Sequence, residues 1–327
     1  MAATVTAASP GASGGGGRGI SLVRTRTRRT VGEGVVRAIL LAAAALSVLT
    51  TTLIVLSLLR ETISFFGDVS LSDYLFGTKW TPLLSSAQQS FNVWPLLFAT
   101  FYITAIALVV ALPLGILCAI YLAEYAGRRT RKIIKPVLEV LAGVPTIVFG
   151  YFALAFFTPE ILKPLLGSGV GTNNQLAAGI IVGLLVLPTI ASVAEDSMSA
   201  VPQSLREGAF GLGANRMQVS LRVILPAALS GVVAAVVLGA SRAFGETVVI
   251  LLAAGNGQLL PKGPVTNPLE PAGNMAAFIA GTAGGDIGQG SIEYKTIFTI
   301  GFTLFVVTLI LNAVAIRLVN KYRQVYE

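Results

Sequence analysis

The chain is predicted to be an all-α polytopic membrane protein with six transmembrane helices, and three observations carry that expectation. Its 327 residues are 54% hydrophobic and only 12% charged, too apolar for a soluble fold to cover with polar surface. The apolar residues fall into separate runs, each long enough to cross a hydrocarbon core of about 30 Å at about 1.5 Å per residue. The basic residues gather at the ends of those runs, far more on one side of the membrane than on the other.

Composition also removes several function classes. There is no histidine, so imidazole acid–base chemistry and histidine metal sites are absent, and no metal site is expected. The single cysteine, Cys118, lies in an apolar run and reads as a small packed hydrophobe. A net charge of +8 does not point to nucleic acid, because its carriers cluster where membrane orientation explains them.

Residues 1–35 are Ala-, Gly- and Ser-rich at first and then Arg-rich, without hydrophobic periodicity, and are read as a disordered cytoplasmic tail. Ala38 to Leu59 is the first span: about 33 Å of helix is too long for a signal peptide. That span and an external segment make up residues 36–93. Five more spans are expected at Trp94 to Leu122, Pro136 to Phe157, Gln175 to Ala194, Pro226 to Ala254 and Thr296 to Ile316, within a core of residues 94–320. Residues 321–327 form a short cytoplasmic tail.

Sorting the 23 Lys and Arg residues by loop sets the orientation. The N-terminal tail, the Arg128 to Lys135 loop, the central loop (Arg206, Arg216, Arg222) and the C-terminal tail together hold 17. The opposite face holds five, namely Arg60, Lys79, Lys163, Lys262 and Lys295. Both termini are therefore expected in the cytoplasm, and Arg242 is left alone inside a span.

The outer segments differ in character. Phe76 to Pro82 sets aromatics beside Gly and Pro, as an interfacial anchoring turn does. Residues 255–293 are rich in Gly, Pro and Asn, but Met275 to Ala280 is apolar and reads as a re-entrant or interfacial helix. A segment of that length suits contact with an external partner.

The cytoplasmic loop of residues 195–222 is longer than a plain connection needs. Pro202 suits the start of a short helix, Leu205, Ala209 and Phe210 fall on one face of it, and Gly213 suits a left-handed stop. Taken alone, the pattern describes a short amphipathic helix lying along the membrane.

Here a resemblance enters. Glu207-Gly208-Ala209, three residues, Gly213, nine residues, then Val223-Ile224-Leu225-Pro226 is similar to the EAA signature of type I ABC importer permeases, with Gly208 for Ala and Val223 for Ile as departures. Glu124-Tyr125-Ala126, Gly143 to Gly150, Leu187-Pro188-Thr189-Ile190, Leu205 to Ala209 and Arg242 to Thr247 resemble the permeases of the phosphate-specific importer. The Phe76 to Pro82 segment resembles their PstC rather than their PstA subunit.

The resemblance implies a MetI-like permease core in the bacterial inner membrane. It also implies that Arg206, Glu207, Gly208, Ala209 and Gly213 couple to a cytoplasmic ATPase dimer (PstB-like). A homologous second permease (PstA-like) and an external phosphate-binding protein (PstS-like) are the other implied partners. No cofactor is expected in this chain. ATP and Mg belong to the ATPase, and no Walker A loop occurs here, so the chain is expected to be a transport subunit and not an enzyme.

Within the membrane, Pro145 and Pro188 fall at similar depths on antiparallel spans, which suits a gate lined by Thr146 and Thr189 or two packing kinks. Arg242 and Glu246 are four apart near the middle of the fifth span, with Thr247 beside them. That spacing allows a structural ion pair on one helix face. It also allows a substrate pathway in which Arg242 donates to phosphate oxygens and Glu246 accepts from a P–OH group. Other oxyanions such as sulfate or molybdate, and a proton-coupled secondary transporter using Glu246, are the rival readings.

Overall fold

A computed structural model describes residues 27–77, 79–84, 88–256 and 267–322. Most of the expected N-terminal tail, Thr78, Lys262 and the end of the C-terminal tail lie outside the described residues. The chain divides into two compact units, Met1–Ile54 and Val55–Glu327. Where it is described, the first unit is helical: α1 (Thr27–Asp68) begins there, inside the expected tail, and continues into the second unit. The hydroxyls of Thr50, Thr51 and Thr52 donate to the carbonyls of Leu46, Ser47 and Val48. Their polarity is thus absorbed within the apolar helix.

The second unit is built from helices, and an isolated bridge between Trp80 and Phe91 is the extended pairing among the described residues. After α2 (Leu71–Phe76), α3 (Trp94–Ile120) runs on through a π-helical turn to Tyr125. Next comes α4 (Arg128–Ala142), then α5 (Thr146–Phe152), which continues as π-helix and as α6 (Lys163–Leu166). The central helix α7 spans Gln175–Ser199. The connection after it holds α8 (Gln203–Gly211) and α9 (Arg216–Val219), which leads through a π turn into α10 (Leu225–Ala227). Last come α11 (Leu229–Phe244), α12 (Val248–Ala253), α13 (Met275–Ala283) and α14 (Ile292–Tyr322).

Five of these helices are long and apolar enough to cross a membrane, and a pair bent by 73° between Ala227 and Leu229 makes a sixth span if counted as one. The six-span, all-α architecture agrees with the sequence, but the spans are less regular than expected. The third, expected unbroken from Pro136 to Phe157, instead runs Thr146–Leu166, with α4 ending before it at Ala142. Pro145 lacks an amide hydrogen and pushes Val144 out of helical conformation, so the ladder cannot continue. The fifth, expected unbroken from Pro226 to Ala254, is interrupted again at Gly245–Thr247. Arg242 and Glu246 therefore do not share a helix face: Arg242 ends α11, and Glu246 lies in the break. In the fourth span α7 runs past Ala194 to Ser199, so Glu195 and Asp196 belong to its last turns and not to the loop.

The core is threaded on α7. Ile181, Val182, Leu185, Val186 and Ile190 are buried with Ile103, Ala107 and Ala111 of α3 and with Val249 and Ile250 of α12. A second core is aromatic: Phe65, Tyr74, Trp80 and Phe91 close over Met275 and Phe278 of α13. Trp80 is only 2% exposed and meets Phe278 edge to face, so it is a core residue where the sequence suggested an interfacial anchor. Cys118 packs, half-buried, beside Leu122 and Leu138.

Candidate functional site

Two interruptions of helical backbone, Gly143–Pro145 and Gly245–Thr247, come to one level of α7, beside Pro188. At the end of the bundle that carries α8, α4 is clamped to α7: the carboxylate of the fully buried Glu195 accepts from Arg131 and, at 2.8 Å, from Lys135. Lys135 also reaches Asp196 at 2.6 Å, and these carboxylates raise the pKa of its ammonium. One turn on, Arg131 donates to Ser199, and in the other direction Leu138 joins Ala191 in one apolar cluster. Four residues on α4 thus match about four on α7, running oppositely, and continuing that pairing brings Gly143 level with about Leu187.

The α11/α12 break comes to the same level. Arg242 Nη1 donates to Thr189 Oγ1 at 3.0 Å, next to Pro188. Past the break, α5 lies against α12 so closely that a Cβ on Gly150 would stand 3.2 Å from the Val248 carbonyl. Glu246, 9% exposed, accepts from the Val249 amide at 3.3 Å and so caps α12. The hydroxyl of Thr247 donates to the Gly245 carbonyl at 3.2 Å. Thr146 and Thr189 are each half-buried, at the start of α5 and in α7. Irregular backbone at this depth is tolerated where protein or a wet cavity satisfies it.

No ion pair joins Arg242 to Glu246 among the described residues. The structural pairing that a spacing of four allows is therefore not formed, because the helix ends between them. Thr189 is the hydrogen-bond partner of the Arg242 guanidinium among the described residues, which leaves most of its five donors free.

At the α8 end the expected coupling residues divide into two sets. Gly213 adopts φ +83°, its amide donating to the Phe210 carbonyl, and ends the turn as a left-handed glycine. Glu207, Gly208 and Gly213 are exposed, with Phe210, Leu212 (90% exposed) and Met217 around them. Ala209 and Leu205 pack inward against a core containing Met198, Val219 and Ile224.

Arg206 is different from its exposed neighbours. Its guanidinium bonds Glu124 at 3.1 and 3.3 Å and the carbonyls of Met198 and Val201 at 2.7 and 2.6 Å, with its side chain 13% exposed. It faces into its own chain and fastens α8 to the ends of α3 and α7. Residue reading missed this link and the Glu195 clamp. Opposite charges at the ends of neighbouring spans, Glu124 with Arg206 and Lys135 with Glu195, were the available signal.

Comparison with known proteins gives a consistent assignment. Residues 111–324 match the family described as the binding-protein-dependent transport system inner membrane component. A Bacillus subtilis protein described as a probable ABC transporter permease, YqgH, is 33% identical over 93% of this chain and 96% of its own length. The phosphate transport system permease protein PstC of Haemophilus influenzae is 30% identical over 81% of this chain and 84% of its own. Among solved structures, the MetNI methionine transporter in an inward-facing conformation aligns with TM-score 0.52 and 21% identity, over 71% of this chain and 94% of that one. A bacterial alginate importer aligns with TM-score 0.58 and 16% identity, over 90% of this chain and all of that one, and both share the fold. The chain therefore belongs to the family of inner-membrane components of binding-protein-dependent transport systems, and it is a membrane-embedded permease subunit of an ABC importer.

Proposed function

We propose that this permease carries inorganic phosphate, forming a translocation pathway with a second, PstA-like permease and taking its energy from a cytoplasmic PstB-like ATPase. The observation that carries the reading is Arg242, a guanidinium at the level of the helix breaks with one hydroxyl partner. A charge at such depth costs about 2.5 to 3.5 kcal/mol on insertion scales, so it persists where a ligand or cavity uses it. Arg presents paired donors that fit two oxygens of a tetrahedral oxyanion. Relatives described as phosphate transport system permeases at 30% identity support phosphate over other oxyanions.

Glu246, Thr247, Thr146 and Thr189 line the same passage in this reading. Glu246 accepts from a P–OH group, which hydrogen phosphate has and sulfate lacks at neutral pH, so sulfate meets repulsion there. The face carrying α8 is cytoplasmic, as are both termini. There Glu207, Gly208 and Gly213 with Phe210 and Leu212 meet the ATPase, Ala209 and Arg206 seat α8 on the permease, and ATP and Mg stay on the partner. A PstS-like binding protein delivers phosphate to the opposite face. Reconstitution of the complex in proteoliposomes tests the reading. Uptake of labelled phosphate that is ATP-dependent and resists a hundredfold excess of sulfate is expected. Uptake of sulfate or molybdate instead, or uptake by this chain alone without ATP, overturns it.

A further inference from the structure

The break at Gly245–Thr247 frees backbone groups inside the bundle, and one of them is answered from outside the span. Asn274 is 0% exposed and stands at the start of α13, in the segment between the fifth and sixth spans. Its Oδ1 accepts from the Ala277 amide at 2.7 Å and caps α13, while its Nδ2 donates to the Glu246 carbonyl at 3.0 Å. The next residue is tied as well: the Met275 amide donates to Thr100 Oγ1 of α3 at 3.1 Å. On its other side α13 carries Phe278 into the aromatic core with Trp80.

We infer that Asn274 is a positioning residue of the pathway: its amide holds the Glu246 backbone, and with it the break between Arg242 and α12, in register with α13. This rests on the pathway reading of Arg242 and Glu246. Asn274 is fully buried, so a lost donor there leaves the Glu246 carbonyl without its partner. Two roles of Asn274 are separable by chemistry. Capping needs an acceptor two or three bonds from the backbone, which Ser and Asp supply. Bridging needs, besides, a donor that reaches the Glu246 carbonyl: the Asn amide carries one on a separate atom, the Ser hydroxyl is a bond shorter, and an ionised Asp has none.

The test uses the complete importer with Asn274→Ser, Asn274→Asp and, in parallel, Arg242→Gln. Phosphate carried per ATP hydrolysed is measured at saturating binding protein. A purely structural role for Asn274 lowers assembly and hydrolysis together and leaves that ratio unchanged. The expected result is an assembled complex from at least one of the two Asn274 variants, with phosphate per ATP down about tenfold. An unchanged ratio in the assembled variants, or failure of both to assemble, overturns the inference and leaves Asn274 as a cap. A wild-type ratio in Arg242→Gln overturns the pathway reading itself, so the two failures are told apart.

Discussion

Arg206 at the α8 end and Arg242 at the end of α11 are both partly buried, and they are held in opposite ways. The Arg206 guanidinium is spent on its own chain: one carboxylate and two helix-end carbonyls take its donors. Arg131 is engaged likewise, by Glu195 and Ser199. Arg242 meets a hydroxyl and, among the described residues, no carboxylate. A charge whose donors are satisfied within the fold serves as a fastener, because releasing it leaves its partner uncompensated. A charge left with open donors at depth is available to an anion. The difference separates the α8 end, where charge builds structure, from the level of the breaks, where the proposed pathway would use it for an anion.

The largest effect expected from this contrast follows exchange of the charges at the breaks. With Arg242→Glu and Glu246→Arg together, the net charge is kept while the guanidinium moves from the end of α11 to the cap of α12. Two charge-assisted bonds to an oxyanion are worth about 3 kcal/mol or more, so uptake should fall at least about a hundredfold in a complex that still assembles. Near-normal uptake by the exchanged protein would erase the distinction between the two arginines.

Next comes the fastener. Arg206→Ala leaves Glu124, 9% exposed in its side chain, without its cation and frees the Met198 and Val201 carbonyls. Breaking a buried pair from one side costs about 3 to 5 kcal/mol, read as a lower thermal midpoint of the purified permease and weaker retention of the ATPase. Wild-type stability with impaired ATPase binding would instead place Arg206 on the docking surface, as its position in the sequence motif suggests.

What was legible in the sequence follows the same division. The six spans, the left-handed Gly213 and the short helix after Pro202 could be read because apolar length, glycine and proline act locally. The inward turn of Arg206 could not, because its partner Glu124 is 82 residues away and nothing local distinguishes it from Glu207. The Arg242–Glu246 spacing misled for a related reason. Four residues mean one face only while the helix lasts, and the freed Glu246 carbonyl past the stop at Gly245 is answered by Asn274, 28 residues on. Trp80, beside Gly77 and Pro82, carries the local signature of an interfacial anchor, whereas its burial depends on the distant Phe278.

A smaller effect is expected at the exposed rim of the coupling end. Gly213 has open space where a Cβ would stand, so Gly213→Asp is not blocked sterically. Its φ of +83° costs an L-residue about 1 kcal/mol, and the new carboxylate joins Glu207 on the surface read as the ATPase seat. Retention of the ATPase by the immobilised permease should weaken by roughly tenfold, with the permease's own thermal midpoint shifted by only a few degrees. Undiminished retention would remove Gly213 from the seat.

The smallest perturbation probes whether the level of the breaks is wet. Thr146 begins α5 immediately after Pro145 and is half-buried, and Thr146→Cys in a chain with Cys118→Ala changes little volume and no charge. If the Gly143–Pro145 interruption lines a passage, water reaches the thiol in one state of the transport cycle and leaves it in another. A charged, membrane-impermeant thiol reagent should then modify it at rates differing by at least about tenfold between nucleotide-free and ATP-trapped complexes, since thiolate chemistry needs water and access. Cysteine at Val140, an exposed apolar position on α4, is the control, because a site facing lipid or a partner chain should stay inert in both states. Equal inertness of both thiols in every nucleotide state would make the break a packed kink. Arg242, at the level of that kink, would then be a fastener whose partner is protein, and the difference from Arg206 would be one of degree.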